Sequence, residues 1–196
     1  MSLAPDIQQS ILNKNRKDKF LLVLNIPPIL KTVNKASQSE RSLNSFNLDS
    51  LQYSIYGTVV PETTIADIDI PYSTQTAKFT SYTKAAYKPI TVNFTVDNQF
   101  NNWWVLWYWL NVINDSREGT YNYNGLTSPE KFPNLNNYQT NITIYGLDEF
   151  NNKKIQWDYT KAFITSLGEI MYNYRDGDQI ESSFTFAFNQ LNSQLL

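Results

Sequence analysis

Among 196 residues there are 18 aspartates and glutamates, 16 lysines and arginines and 13 tyrosines, but no histidine and no cysteine. Without imidazole or thiol the chain has no Ser-His or Cys-His nucleophile pair, no usual zinc ligand set and no disulfide framework. Carboxylates, lysines, phenols and hydroxyls are the groups left for chemistry. Asp67 and Asp69 are the tidiest carboxylate pair: two positions apart in a strand-like stretch, they share one face. Asp176 and Asp178 flank Gly177 in a turn. A glycosidase needs two carboxylates facing each other across a cleft at a defined separation, and neither spacing identifies such a pair. No glycine-rich phosphate loop and no calcium-loop pattern occurs. The sequence is therefore read as non-enzymatic, with no catalytic residue, cofactor or metal site.

A net charge of −2 and the absence of a basic stripe argue against a nucleic-acid binder, which must neutralise phosphates. Lys14, Arg16, Lys17 and Lys19 precede the apolar run Phe20-Leu-Leu-Val-Leu and superficially imitate a secretion signal. Asn25 and Pro27-Pro28 cut that run short, so it reads as a buried strand. No apolar stretch approaches the ~20 residues that would span a bilayer, and no membrane insertion is expected.

The elements that would position any site are mostly strands, and a chain of this length supports one sizeable core. The expected organisation is an N-terminal arm over residues 1–18, with Ile7, Ile11 and Leu12 as a short amphipathic set, one β domain over 19–190, and a tail over 191–196. Strands are expected at 20–26, 51–60, 63–72, 75–82 and 88–96, with long loops at 31–48 and 114–137. Ala66, Ile68 and Ile70 are expected to face the core, opposite Ile65, Asp67 and Asp69. After Tyr138 the alternation continues through Ile142 and Ile144, Ile155, Trp157 and Tyr159, Ile170, Tyr172 and Tyr174, then Ile180, Phe184, Phe186 and Phe188. Gly168 to Phe188 reads as a hairpin turning at Arg175-Asp176-Gly177-Asp178, because Asp-Gly supplies positive backbone angles. The fold class is mainly β: an antiparallel sandwich or barrel with long hairpins and one mid-chain helix.

That helix is expected over about 98–113, capped by Asp97-Asn98, where the period shifts towards 3.6. Phe100, Trp103, Trp104 and Trp107 fall on one side, while Val105, Trp109 and Val112 project elsewhere. Being apolar around most of its circumference, it must be covered on more than one side. Two covers are open: a neighbouring chain, or the 114–137 loop folding back with Leu126, Phe132 and Leu135. Trp103, Trp104, Trp107, Trp109 and, on a strand, Trp157 are thus candidates for the core or a subunit interface. A carbohydrate-binding β-sandwich would also be rich in aromatics, but it would place them on loops or an open sheet face.

The spacing of Trp157, Tyr159, Ala162, Phe163, Leu167, Ile170 and Tyr172, followed by the Asp-Gly turn and the Phe-rich strand, resembles the C-terminal half of tail tube proteins of contractile-tailed phages. The order of elements extends the resemblance over roughly residues 20–188. The residue after Ala162-Phe163 is Ile164, where the family often has proline, and both long loops exceed those of compact members.

The resemblance implies a structural virion protein of the tail, assembled in the host cytoplasm. Homohexameric rings would stack into an inner tube, in contact with sheath, baseplate and neck proteins, through which DNA passes without specific binding. It implies lumen hairpins at Leu51 to Tyr72 and Gly168 to Phe188, with Asp67, Asp69, Glu181, Ser183 and Thr185 facing the channel and repelling phosphates. A tube-initiating or tube-terminating ring, or the tube of a contractile injection device, shares the same expectations.

Overall fold

The structure, a computed structural model, describes residues 14–28, 30, 54–111, 138–175 and 177–196. The amphipathic set at Ile7, Ile11 and Leu12, the loops at 31–48 and 114–137 and the proposed lid lie outside these residues, as do Val112 and Asp176.

Among the described residues nine strands and one helix follow in order: β1 (Phe20–Leu24), β2 (Ile55–Gly57), β3 (Ile65–Tyr72), β4 (Gln75–Lys84), β5 (Ile90–Thr95), α1 (Asn101–Asn111), β6 (Thr140–Leu147), β7 (Lys153–Leu167), β8 (Glu181–Ala187) and β9 (Gln190–Leu195). Seven strands form one antiparallel, barrel-like sheet in the order β1-β6-β7-β8-β5-β2, with β9 beside β7. The hairpin β3-β4 is a second sheet of its own. The mainly β fold with one mid-chain helix is what the alternation demands.

The core sits on one face of the large sheet. Leu22 and Leu24, Ile142 and Ile144, Tyr159, Ala162 and Ile164, Ile90, Val92 and Phe94, and Phe184, Phe186 and Phe188 all point into it and are buried. Each series alternates along its strand, so in-register pairing brings the apolar side chains to one face. Tyr159 meets Phe186 and Phe188 edge to face, with ring centroids 5.5 and 4.8 Å apart. Between β6 and β7 the chain turns on Asp148, whose Oδ1 accepts from the N–H groups of Phe150 (2.9 Å) and Asn152 (2.8 Å). Asn151 takes the left-handed conformation there, φ 63°.

Several expectations are corrected. Strand β7 runs unbroken for 15 residues. It bends at Lys161, φ 52°, beside a register shift between Thr140 and Ile142. That bulge lets the first part of β7 pair with β6 and β9, and the last part with β8. The expected strand over 168–174 is absent: the ladder closes where the Gly168 N–H donates to Ser183 O at 2.6 Å. Beyond it Met171, Tyr172 and Tyr174 are exposed, so their alternation has no core to meet. The supposed tail is strand β9, whose Leu191 stands opposite Tyr159. Strand β2 is only three residues long and pairs with β5, so the described part of the hairpin expected from Leu51 to Tyr72 does not pair with itself; β3 pairs with β4 instead.

Helix α1 begins three residues later than the Asn98 expected and its described part ends at Asn111. Asp97 still caps it, accepting from the Asn101 N–H at 2.7 Å. Its buried face is Asn102, Val105, Leu106 and Trp109, an i, i+3, i+4, i+7 set. Asn102 is tolerated because its Nδ2 donates to Thr95 O (2.8 Å) and Ser54 Oγ (3.2 Å) while its Oδ1 accepts from Asp97 N–H (3.2 Å).

Candidate assembly and channel surfaces

Two surfaces lie outside the core and carry the residues singled out from the sequence. The first is the solvent side of β5 and β8. Thr91 stands opposite Thr185, Asn93 opposite Ser183 and Thr95 opposite Glu181, and since opposed residues share a face, these six form one polar surface. Thr91 and Thr185 hydroxyls are hydrogen-bonded at 3.1 Å, and Thr165 Oγ1 donates to Thr185 O at 3.1 Å. Glu181 is the only ionisable group of the six, and the Tyr56 hydroxyl donates to it at 2.9 Å. Partial desolvation and that carboxylate raise the Tyr56 phenol above its ordinary value. The surface is hydroxyl- and amide-rich, with one negative charge and no cation among the six.

The second surface is the β3-β4 hairpin. On one side Ile68 faces Phe79 and Ile70 faces Ala77; on the other Asp67 faces Thr80 and Asp69 faces Lys78. The sequence places apolar and acidic residues on opposite faces, as alternation requires. The expectation that the apolar face enters the core fails: Ile68, Ile70 and Phe79 remain 49%, 45% and 55% exposed. The hairpin pairs with no other described strand, so the core lies on the other sheet. Lys78 bridges both acids, with Nζ 2.5 Å from Asp67 and 3.4 Å from Asp69. Sequence reasoning missed that lysine, although its place opposite Asp69 follows from the Ser73-Thr74 turn. Asp67 and Asp69 are on a different sheet from Glu181, Ser183 and Thr185.

The tryptophans divide. Trp109 is in the core, with Nε1 donating to Tyr138 O at 3.1 Å. Trp157 is half-buried on the core side of β7, opposite Ile144, and Gly146 leaves room for it: a Cβ there would come within 3.2 Å of its ring and 2.7 Å of Ile155 Cγ2. Trp103 and Trp104 are half-buried at the flank of α1 and Trp107 is 38% exposed. Stacking pairs Trp103 with Trp107 and Trp104 with Tyr108, each four residues apart, as neighbours on a helix surface. Within the resembling segment, Tyr159 and Ala162 are buried and Phe163 packs near Tyr138, ring centroids 6.3 Å apart.

Among the described residues no cluster of three or more acidic side chains could hold a metal. The open depression beside Asn25 and Asn141 contains Lys161, that beside Tyr87 and Phe188 contains Lys84, and among the described residues neither contains a carboxylate.

Comparison with known proteins agrees with this geometry. A family described as phage tail tube protein matches residues 15–193. Sequence comparison with curated proteins gives no match. The fold is similar to a chain of the anti-feeding prophage cap, described as a tube terminating cap, at TM-score 0.60 and 14% identity over 100% of both chains. It is also similar to a chain of the sheath-tube complex of PVC, an extracellular contractile injection system, at TM-score 0.57 and 12% identity over 95% of each. A chain of the PVC sheath/tube terminator gives TM-score 0.57 and 14% identity, covering 94% of this chain and 99% of that one. With the matched region running from before β1 into β9, the chain belongs to the phage tail tube protein family, a structural, non-enzymatic family of the virion tail.

Proposed function

We propose that copies of this chain form six-membered rings that stack into the inner tube of a contractile tail, giving a channel for genome delivery into the host. One observation carries the assembly step: the β3-β4 hairpin exposes Ile68, Ile70 and Phe79 on one face and has no described strand beside it. A lone two-stranded hairpin is marginal in water, and an uncovered apolar face calls for a partner surface. In a homo-oligomer of this family the partner is a second copy. Trp103, Trp104 and Trp107 at the flank of α1 supply further apolar surface for that contact.

In this reading the polar surface of β5 and β8 lines the channel, with Glu181, Ser183 and Thr185 inward and Asp67 and Asp69 on the polar side of the hairpin. Hydroxyls, amides and a ring of carboxylates let a polyanion slide, whereas a basic lining would bind it. Tail sheath, baseplate and neck proteins contact the assembled tube, which is built in the host cytoplasm and ends in the virion.

Likeness to the PVC and anti-feeding prophage chains supports a second reading, a tube or terminating ring of a contractile injection device. Capsid and terminase genes beside the coding sequence would favour the phage tail, and their absence the device. Electron microscopy of the purified protein tests both: rings or tubes are expected, whereas a monomer that binds glycans would favour a carbohydrate-binding sandwich.

A further inference from the structure

We propose that Tyr87 is the positioning residue of the β3-β4 hairpin: seated on the core and holding the end of β4, it sets the direction in which the hairpin offers Ile68, Ile70 and Phe79 to a second copy. This rests on the assembly reading and deepens it. The β3-β4 ladder is regular from Tyr72↔Gln75 to Asp67↔Thr80, and then its register shifts. The next pair is Ile65↔Lys84, so Ser81, Tyr82 and Thr83 stand against Ala66 alone. Such an excess bends the strand that carries it and re-aims what lies beyond. The bulge is braced by its own hydroxyls: Thr80 Oγ1 donates to Ser81 O at 3.2 Å and Ser81 Oγ to Thr83 O at 3.3 Å.

Three residues against one leave an even excess, which keeps side-chain alternation in step where an odd one would invert it. Lys84 therefore lies on the same face of the hairpin as Lys78 and Thr80, while Phe79 and Ile68 lie on the other. The hairpin is gripped on its polar face, and its apolar face points the opposite way.

An aromatic ring makes the grip. Lys84 Nζ is 4.8 Å from the centroid of Tyr87, a cation–π contact. The Tyr87 ring meets Phe188 with centroids 5.1 Å apart, and Phe188 packs edge to face on Tyr159 at 4.8 Å. Phe188 and Tyr159 belong to the core, and Tyr87 is half-buried against it. This contact spans an open depression, lined by Lys84 to Tyr87 from the hairpin root and by Phe188 to Asn192 from the corner between β8 and β9. Ala85 and Ala86 are exposed and too short to bridge it. A hairpin whose direction is set before association has less freedom to lose on binding.

A distance measurement separates this role from general stability. Because the chain has no cysteine, Thr74→Cys/Gln194→Cys takes nitroxide labels at the hairpin turn and on β9 alone; both positions are exposed. Pulsed electron spin resonance of the labelled monomer, below the concentration of assembly, is expected to give one narrow distance distribution. Tyr87→Ala should broaden it and raise the concentration needed for ring formation by about tenfold. Tyr87→Phe, which keeps the ring, should preserve both. Lys84→Met should also broaden the distribution; Lys84 is exposed, so this variant spares the core and decides alone should Tyr87→Ala not fold. Distributions as narrow in the Tyr87→Ala and Lys84→Met variants as in the parent would overturn the anchor while the tube reading stands. Broadening with unchanged assembly would overturn its role in presenting the apolar face. A parent chain that forms no rings would remove the tube reading, and with it that role, whatever the distances show.

Discussion

Phe184 and Phe186 on β8 occupy the same places in an alternating pattern as Ile68 and Ile70 on β3, yet the first two are buried and the second two about half exposed. The difference lies in what stands opposite each face. Strand β8 runs between β7 and β5 and its apolar face lies in the common core, where Tyr159 packs on Phe186, whereas β3 pairs with β4 alone among the described strands, and Ile68, Ile70 and Phe79 on their shared face stay exposed. Period-two alternation fixes which residues share a face. It does not say whose chain covers that face, and in a tube protein this distinction separates folding from assembly.

Substitution on the covered face should produce the largest loss of stability. Phe186→Ala removes a fully buried ring packed edge to face on Tyr159 and should cost about 3–5 kcal/mol in urea unfolding. A loss under ~1 kcal/mol would mean the core is not organised as described. Next comes Gly146→Ala, whose new Cβ would sit 2.7 Å from Ile155 Cγ2 across the strand pair; a cost of about 1–3 kcal/mol is expected from overpacking.

Tyr159 offers a smaller effect with a pH signature. Its hydroxyl is buried without a hydrogen-bond partner among the described residues, and burial holds the phenol well above its ordinary value. Because the folded state favours the neutral phenol, this contribution is fully present below about pH 10, the ordinary tyrosine value, and is lost as pH rises above it. Tyr159→Phe should raise stability by about 1 kcal/mol at neutral pH and flatten the alkaline decline. Unfolding curves from pH 7 to 11 that are parallel for the two proteins would contradict that assignment. The smallest change in stability belongs to the uncovered face: Ile68→Asp/Phe79→Asp should leave the unfolding free energy within about 0.5 kcal/mol while preventing self-assembly, as light scattering would show.

The sequence carried the β class, the inward series on β6 and β8, the Asp97 cap and the family, because each depends on short-range periodicity or spacing. It misled where two physical demands shared one pattern. Ile170, Tyr172 and Tyr174 alternate like a strand, but the ladder closes at Gly168 and no described strand pairs with them. Leu191 and Leu195 in β9 offered too few apolar positions to signal a strand; their pairing depends on the distant register of Ile155 and Tyr159. The helix was legible as a helix, whereas its buried face was hidden by tryptophans on all sides and by Asn102, a polar residue buried through tertiary hydrogen bonds. The acidic pair on β3 was seen and its Lys78 bridge was not, since that contact appears only once the β3-β4 register is set.

Negative-stain electron microscopy of the purified chain, with its mass in solution measured by light scattering on the same sample, tests the central claim most directly. Six-fold rings or stacked tubes, with a mass that is a multiple of six chains, are the predicted result. A monodisperse monomer that stays monomeric at high concentration and after addition of tail-derived seeds would contradict it.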